Sequence, residues 1–318
     1  MPWWRKCRRA ERGAPRLSGG GAVANWLRGD DTRVRAIWRF LVFLVAAAAG
    51  ILLAAVAAQM VQATAAALGF RLIVHPVAVP AGLLAAHAFV IAKFEGGEWR
   101  YVLMDGRAAE PRRWGLAAGA GSAAIAVPSL LLLGAGMFAF APAIEGSSLA
   151  TAAYLGWVLI PAALGEELLA RGYLFSLLRE SVGWRWAIAV TSVGFGLLHL
   201  PNPGSNPQAI LTVVLAGVFL GLILVRTASL YAAWAAHAAW NLVLAAVLHA
   251  DVSGIAFAGT PDYQLVDTGP DWLTGGRWGP EGGAAAAAGL LLASVVLLRP
   301  LLGGRSRALT ESLSQRTD

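Results

Sequence analysis

From Phe40 to Ala66 the chain runs for 27 residues without a charged side chain. A helix over that stretch would be about 40 Å long, more than enough to cross a hydrocarbon core of about 30 Å. Seven further apolar stretches follow it. The eight candidate spans cover approximately 38–66, 72–92, 115–141, 149–178, 186–200, 208–225, 229–249 and 284–302. One such run fits the core of a soluble protein, but eight do not. The composition agrees: 58% of the 318 residues are hydrophobic and 14% are charged, against about 25% charged in soluble domains. The expected fold class is therefore an all-α, polytopic integral membrane helical bundle of about 8 transmembrane helices, with the bilayer as its first partner.

The formal charge of +7 is placed unevenly, with ten of the 25 Lys and Arg in residues 1–39. Basic residues are not interleaved with aromatic ones as they are in base-stacking proteins, so no nucleic acid is expected as a partner. They fall instead in alternate connections: 93–113, then Arg179 and Arg185, then Arg226, then 303–318. Under the positive-inside rule this puts both termini on the cytoplasmic side of the plasma membrane. The expected organisation is a basic cytoplasmic tail over 1–36, a transmembrane domain over 37–302 and a cytoplasmic tail over 303–318. The outer connection 251–283, rich in Pro, Gly and Asp, reads as irregular. The N-terminus lacks the uninterrupted apolar stretch of a signal peptide, and the single cysteine, Cys7, rules out an intrachain disulfide.

Against that background "GEELLARGYLF" stands out, because it puts Glu166, Glu167 and Arg171 inside the fourth span. Each costs about 2.5–3.5 kcal/mol near the middle of a membrane helix. Glu167 and Arg171 are four residues apart and can pair on one helix face. Glu166 points about 100° away and needs a partner from another span. The polar residues that recur in later spans are the candidates. "FGLLH" puts Phe195 and His199 on one face, and "HAAWN" does the same for His237 and Asn241. His75 reads as an outer-interface histidine, His87 as a hydrogen-bonded bundle residue and His249 as a solvated outer-end residue. The tryptophans, mostly near span ends, read as interfacial anchors.

One carboxylate, two imidazoles and a carboxamide suit hydrolysis. Glu166 would deprotonate a water that His199 orients, while His237 and Asn241 would stabilise an oxyanion. The same Glu166, His199 and His237 would also serve as a His-His-Glu zinc site with a fourth position for water. Spacing alone leaves both open, although no His-Glu-x-x-His sequence is present. No serine or cysteine has the company needed for a covalent nucleophile.

"EELLAR", "FGLLH" and "HAAWN", in that order on three spans, resemble the three motifs of the CaaX-protease and bacteriocin-processing family of intramembrane peptidases, which includes type II CaaX prenyl endopeptidases and Abi proteins. The motif-bearing region covers about 149–250. The resemblance implies an endopeptidase acting on a membrane-associated protein or peptide. Glu166 and His199 would activate the water, His237 and Asn241 would form the oxyanion site, and Glu167, Arg171 and Phe195 would support them. No cofactor is required on this reading, and zinc is the alternative. Two other functions remain open on sequence grounds: a non-catalytic scaffold or immunity protein, and a transporter or proton pathway.

Overall fold

The computed structural model describes residues 35–143, 146–257, 259 and 261–302. The tail expected over 1–36, apart from its last two residues, lies outside the described part, as do Cys7 and the tail expected over 303–318. Helices form at all eight expected positions. They are α1 (Ala36–Ala67), α2 (Ala78–Phe94), α3 (Pro111–Gly134), α4 (Ser148–Arg171) continuing into α5 (Tyr173–Val182), α6 (Trp184–Leu198), α7 (Pro207–Thr227), α8 (Leu230–Leu242) and α10 (Ala284–Leu302), with the short α9 (Asp271–Thr274) before the last. Among the described residues, six helical stretches are long and apolar enough to cross a membrane. The other two, Trp184–Leu198 and Ala284–Arg299, are shorter. The chain is an integral membrane protein built as a helical bundle.

The helices pack largely in sequence-local pairs, α1 on α2 and α6 on α7, with α8 in contact with α3, α4 and α7. That central position depends on a missing side chain. A Cβ at Gly121 of α3 would run into the carbonyl of Ala236 on α8, so glycine lets the two backbones touch just before His237. In a bilayer, where lipid and leucine are equally apolar, such close approach is a main source of helix association.

Three expected boundaries change. The span expected over 115–141 ends as a helix at Gly134, and Phe138–Pro142 forms strand β1. It pairs antiparallel with β2 (Tyr263–Asp267), in a register that sets Phe140 opposite Leu265. Gly136, with φ +70°, turns the chain out of the helix at this point. The connection 251–283 is therefore no loose loop. It carries β2, α9 and two short 3₁₀ turns, Gly276–Trp278 and Pro280–Gly282, and it buries Trp278 completely. That tryptophan packs with Phe195, Ala209 and Val213, so it is a core residue rather than an interfacial anchor. His249 is also more engaged than an open outer end would allow: its ring lies 3.2 Å from Ser148 Oγ and stacks edge-on against Tyr263. His75 is exposed, as expected.

The third change is a break within the span expected over 149–178, at Gly172, directly after Arg171. The buried imidazole of His87 closes it. His87 Nδ1 donates to the Leu83 carbonyl (2.7 Å), which leaves Nε2 free to accept the backbone N–H of Tyr173 (3.0 Å). A Cβ at residue 172 would occupy the place of that imidazole nitrogen, so the glycine and the histidine require each other. Tyr173 is held from its other end too. Its hydroxyl donates to Glu95 (2.7 Å) and accepts from Arg39 Nε (3.2 Å). Arg39 also pairs with Glu95 and Glu180, and it donates to the Tyr101 hydroxyl (2.9 Å). Burial, with Glu180 adding to it, pushes the Tyr101 hydroxyl above the usual tyrosine range and keeps it a donor.

Replacing His87 with Ala is expected to lower stability by about 1–3 kcal/mol, the cost of one unmet buried backbone donor. Thermal unfolding in detergent checks this. His87→Gln, which keeps an acceptor on a flexible stem, should recover part of the loss. Equal melting of His87→Ala and wild type would mean that the break is held without the histidine.

Candidate active site

Three helices that are distant in sequence deliver the charged and polar groups to one place. Glu166 and Glu167 sit in the last turns of α4, Phe195 near the end of α6 with His199 as its C-cap, and His237 and Asn241 on α8. The two adjacent glutamates face different surroundings. The Glu167 side chain is completely buried, whereas that of Glu166 is 40% exposed.

Glu167 is the hub of a buried chain. Its Oε1 accepts from Arg171 Nη1 at 2.8 Å and from His237 Nδ1 at 2.9 Å. Arg171 also donates through Nη2 to the carbonyl of Gly217 on α7 (3.1 Å) and lies over the ring of Phe195, 4.5 Å from its centroid. The expected i,i+4 pair is thus present, and it reaches further than one helix face. It anchors α4 to α6, α7 and α8 together. A buried carboxylate shared by an arginine and a histidine is compatible with the bilayer because each charge has a partner.

Glu166 finds its partners across the bundle, as its isolation in the sequence requires. Its Oε2 lies 3.7 Å from His237 Nε2 and 3.9 Å from His199 Nε2. Both gaps exceed a direct hydrogen bond and are the kind that a bridging oxygen spans. Both rings are fixed by their far nitrogen. His199 Nδ1 is 2.8 Å from the Phe195 carbonyl, and His237 Nδ1 is held by Glu167. A carbonyl or a carboxylate accepts only, so each Nδ1 carries a proton and each Nε2 is turned toward Glu166. Phe195 wedges the pair, 4.7 Å from the His199 ring and 5.9 Å from the His237 ring.

Rings anchored at Nδ1 in this way are also typical of metal ligands. Among the described residues no group of three or more His, Cys, Asp or Glu side chains forms a ready metal site as the side chains stand; were zinc bound, Glu166, His199 and His237 would be the residues to hold it.

His199, His237 and Asn241 open onto a narrow cavity whose walls include Phe195, Phe219, Leu220, Trp240 and Leu290. Glu166 adjoins two of these lining residues, His199 and His237. Ser253 and Glu281, which belong to none of the three motifs, also line the cavity. Trp240, expected as an interfacial anchor, instead donates from Nε1 to Glu281 at 2.7 Å. A carboxylate in a Pro-Gly-Asp-rich connection gives no hydropathy signal. The available clue was that Glu281 is followed directly by the small-residue start of the last span, "GGAAAAAG".

Residues 148–243 match the model of a family described as Rce1-like, type II CAAX prenyl endopeptidase. The matched segment contains all three motifs and agrees with the resemblance that they carry. It ends before Ser253 and Glu281. No curated protein and no solved structure matches the chain.

Proposed function

We propose that the chain is an intramembrane endopeptidase that hydrolyses a peptide bond of a membrane-associated protein or peptide, in the manner of a CaaX prenyl protease. The observation that carries this reading is the convergence of the two imidazole Nε2 atoms on Glu166, at 3.7 and 3.9 Å, beside a cavity lined by Asn241. Together with the family match, it favours chemistry over a scaffold role.

In this mechanism a water sits between Glu166 and His199. Glu166 takes its proton as the oxygen attacks the carbonyl carbon, and His199 holds the water by accepting its second hydrogen at Nε2. The carbonyl oxygen becomes an oxyanion that Asn241 Nδ2 and, when protonated at Nε2, His237 stabilise. Glu167, bonded to the opposite ring nitrogen, orients His237 throughout. Collapse of the intermediate breaks the C–N bond, and Glu166 returns its proton to the departing amine. Every step uses side chains of this chain, and none passes through a metal.

We assign the chain to the plasma membrane with both termini cytoplasmic. The support is the position of Arg100 and Arg107 between α2 and α3, Arg112 and Arg113 in the first turn of α3, Arg179 and Arg185 around the α5–α6 turn, and Arg226 at the end of α7, all on one side under the positive-inside rule.

The test compares peptide termini in membranes carrying wild type or Glu166→Ala at matched protein levels. New termini that depend on Glu166 are the expected result and also reveal the substrate. Identical termini, with an intact phenotype in Glu166→Ala, would replace this reading with a scaffold or immunity protein. A solute or proton flux abolished by Glu166→Ala without cleavage would replace it with a transport pathway.

A further inference from the structure

Glu281 is a second buried carboxylate in the same cavity as His199, His237 and Asn241, and the mechanism above does not use it. It is 7% exposed and sits in the 3₁₀ turn Pro280–Gly282, just ahead of α10. Three donors fix it. Trp240 Nε1 meets Oε2 at 2.7 Å, while the Ser253 hydroxyl (2.7 Å) and backbone N–H (2.5 Å) meet Oε1. A carboxylate with three donors cannot swing away when a substrate arrives. Trp240 is the chain neighbour of Asn241, so Glu281 is braced against the helix that carries two of the reactive groups. The same cavity has apolar walls from Val213, Phe219, Leu220 and Leu290.

A side chain that enters this cavity from the reacting bond would therefore meet apolar walls and one fixed acceptor. An apolar group fits. A group ending in a hydrogen-bond donor fits better, because an oxygen lone pair of Glu281 is available to it. An acidic group meets a like charge where little water screens it. We propose that Glu281 is a specificity-determining residue that excludes Asp and Glu from one of the two positions flanking the cleaved bond and favours a neutral or donor-bearing residue there. The proposal rests on the peptidase reading. It concerns residues of this chain that lie outside the segment matched to the family.

The experiment uses the full-length protein purified in detergent and a degenerate peptide mixture, with cleavage sites read by mass spectrometry. Wild type is expected to show Asp and Glu depleted about tenfold or more at one flanking position, as like-charge exclusion requires. Glu281→Gln, whose amide oxygen can keep the Trp240 bond while its NH2 turns to Ser253 and leaves that backbone N–H unmet, is expected to remove most of that depletion while cleavage continues. A wild-type profile without acidic depletion overturns the proposal by itself, even if the variant fails to fold. An unchanged profile in Glu281→Gln also overturns it, leaving Glu281 as a brace for the connection; such a brace would lower yield or turnover without altering residue preference. Absence of any cleavage that depends on Glu166 would instead overturn the peptidase reading on which the proposal stands.

Discussion

Glu166→Gln is expected to reduce turnover by about 10²–10⁴-fold, the range associated with losing a positioned general base, while leaving thermal unfolding in detergent unchanged. The side chain is 40% exposed, and its nearest partners are 3.7 and 3.9 Å away, so removing its charge breaks no short contact. The change is confined to one oxygen, which ceases to be a base. Purified protein and a peptide identified by terminus mapping are enough for the measurement. Near-normal turnover in a well-folded Glu166→Gln variant would move the base elsewhere and undo the mechanism.

The neighbouring carboxylate should behave in the opposite way. Arg171→Met is expected to cost about 3–5 kcal/mol of stability, the usual penalty for stripping one member from a buried ion pair. Arg171 and Glu167 side chains are both completely buried, and the guanidinium also reaches the Gly217 carbonyl and the Phe195 ring. Without it Glu167 keeps only His237. The loss should appear as a lower melting temperature and as less protein in the membrane. The double variant Glu167→Gln, Arg171→Met should melt above Arg171→Met alone, because an uncompensated buried charge has been removed along with the pair. If Arg171→Met melts like wild type, the pair does not hold these helices together. Adjacent glutamates in "GEELLAR" would then not divide chemistry from architecture as proposed here.

That division was partly legible in the sequence. The i,i+4 spacing announced the Glu167–Arg171 pair, and the absence of any local partner for Glu166 pointed to contacts from other spans. "FGLLH" and "HAAWN" supplied them, in the order that the family resemblance also implied. That His87 is a hydrogen-bonded bundle residue is legible in the sequence, but its task is not, because its acceptor nitrogen serves a backbone N–H 86 positions away. A hydropathy window cannot show a helix break whose unpaired donor is met by a distant imidazole, so 149–178 read as a single span. The strand Phe138–Pro142 was hidden for a related reason. Its residues are as apolar as the helix before them, and the partner strand Tyr263–Asp267 lies more than 120 residues later. Glu281 was missed because burial, not composition, sets it apart.

The route by which the cavity is closed has a consequence in time. Its walls draw on Phe195 and His199, on α7 and α8, and then on Ser253, Glu281 and Leu290 near the far end of the chain. A ribosome that has released the three motifs into the membrane has not yet made the last wall. A chain that stalls before the final helix lacks Leu290, and with it one wall of the cavity.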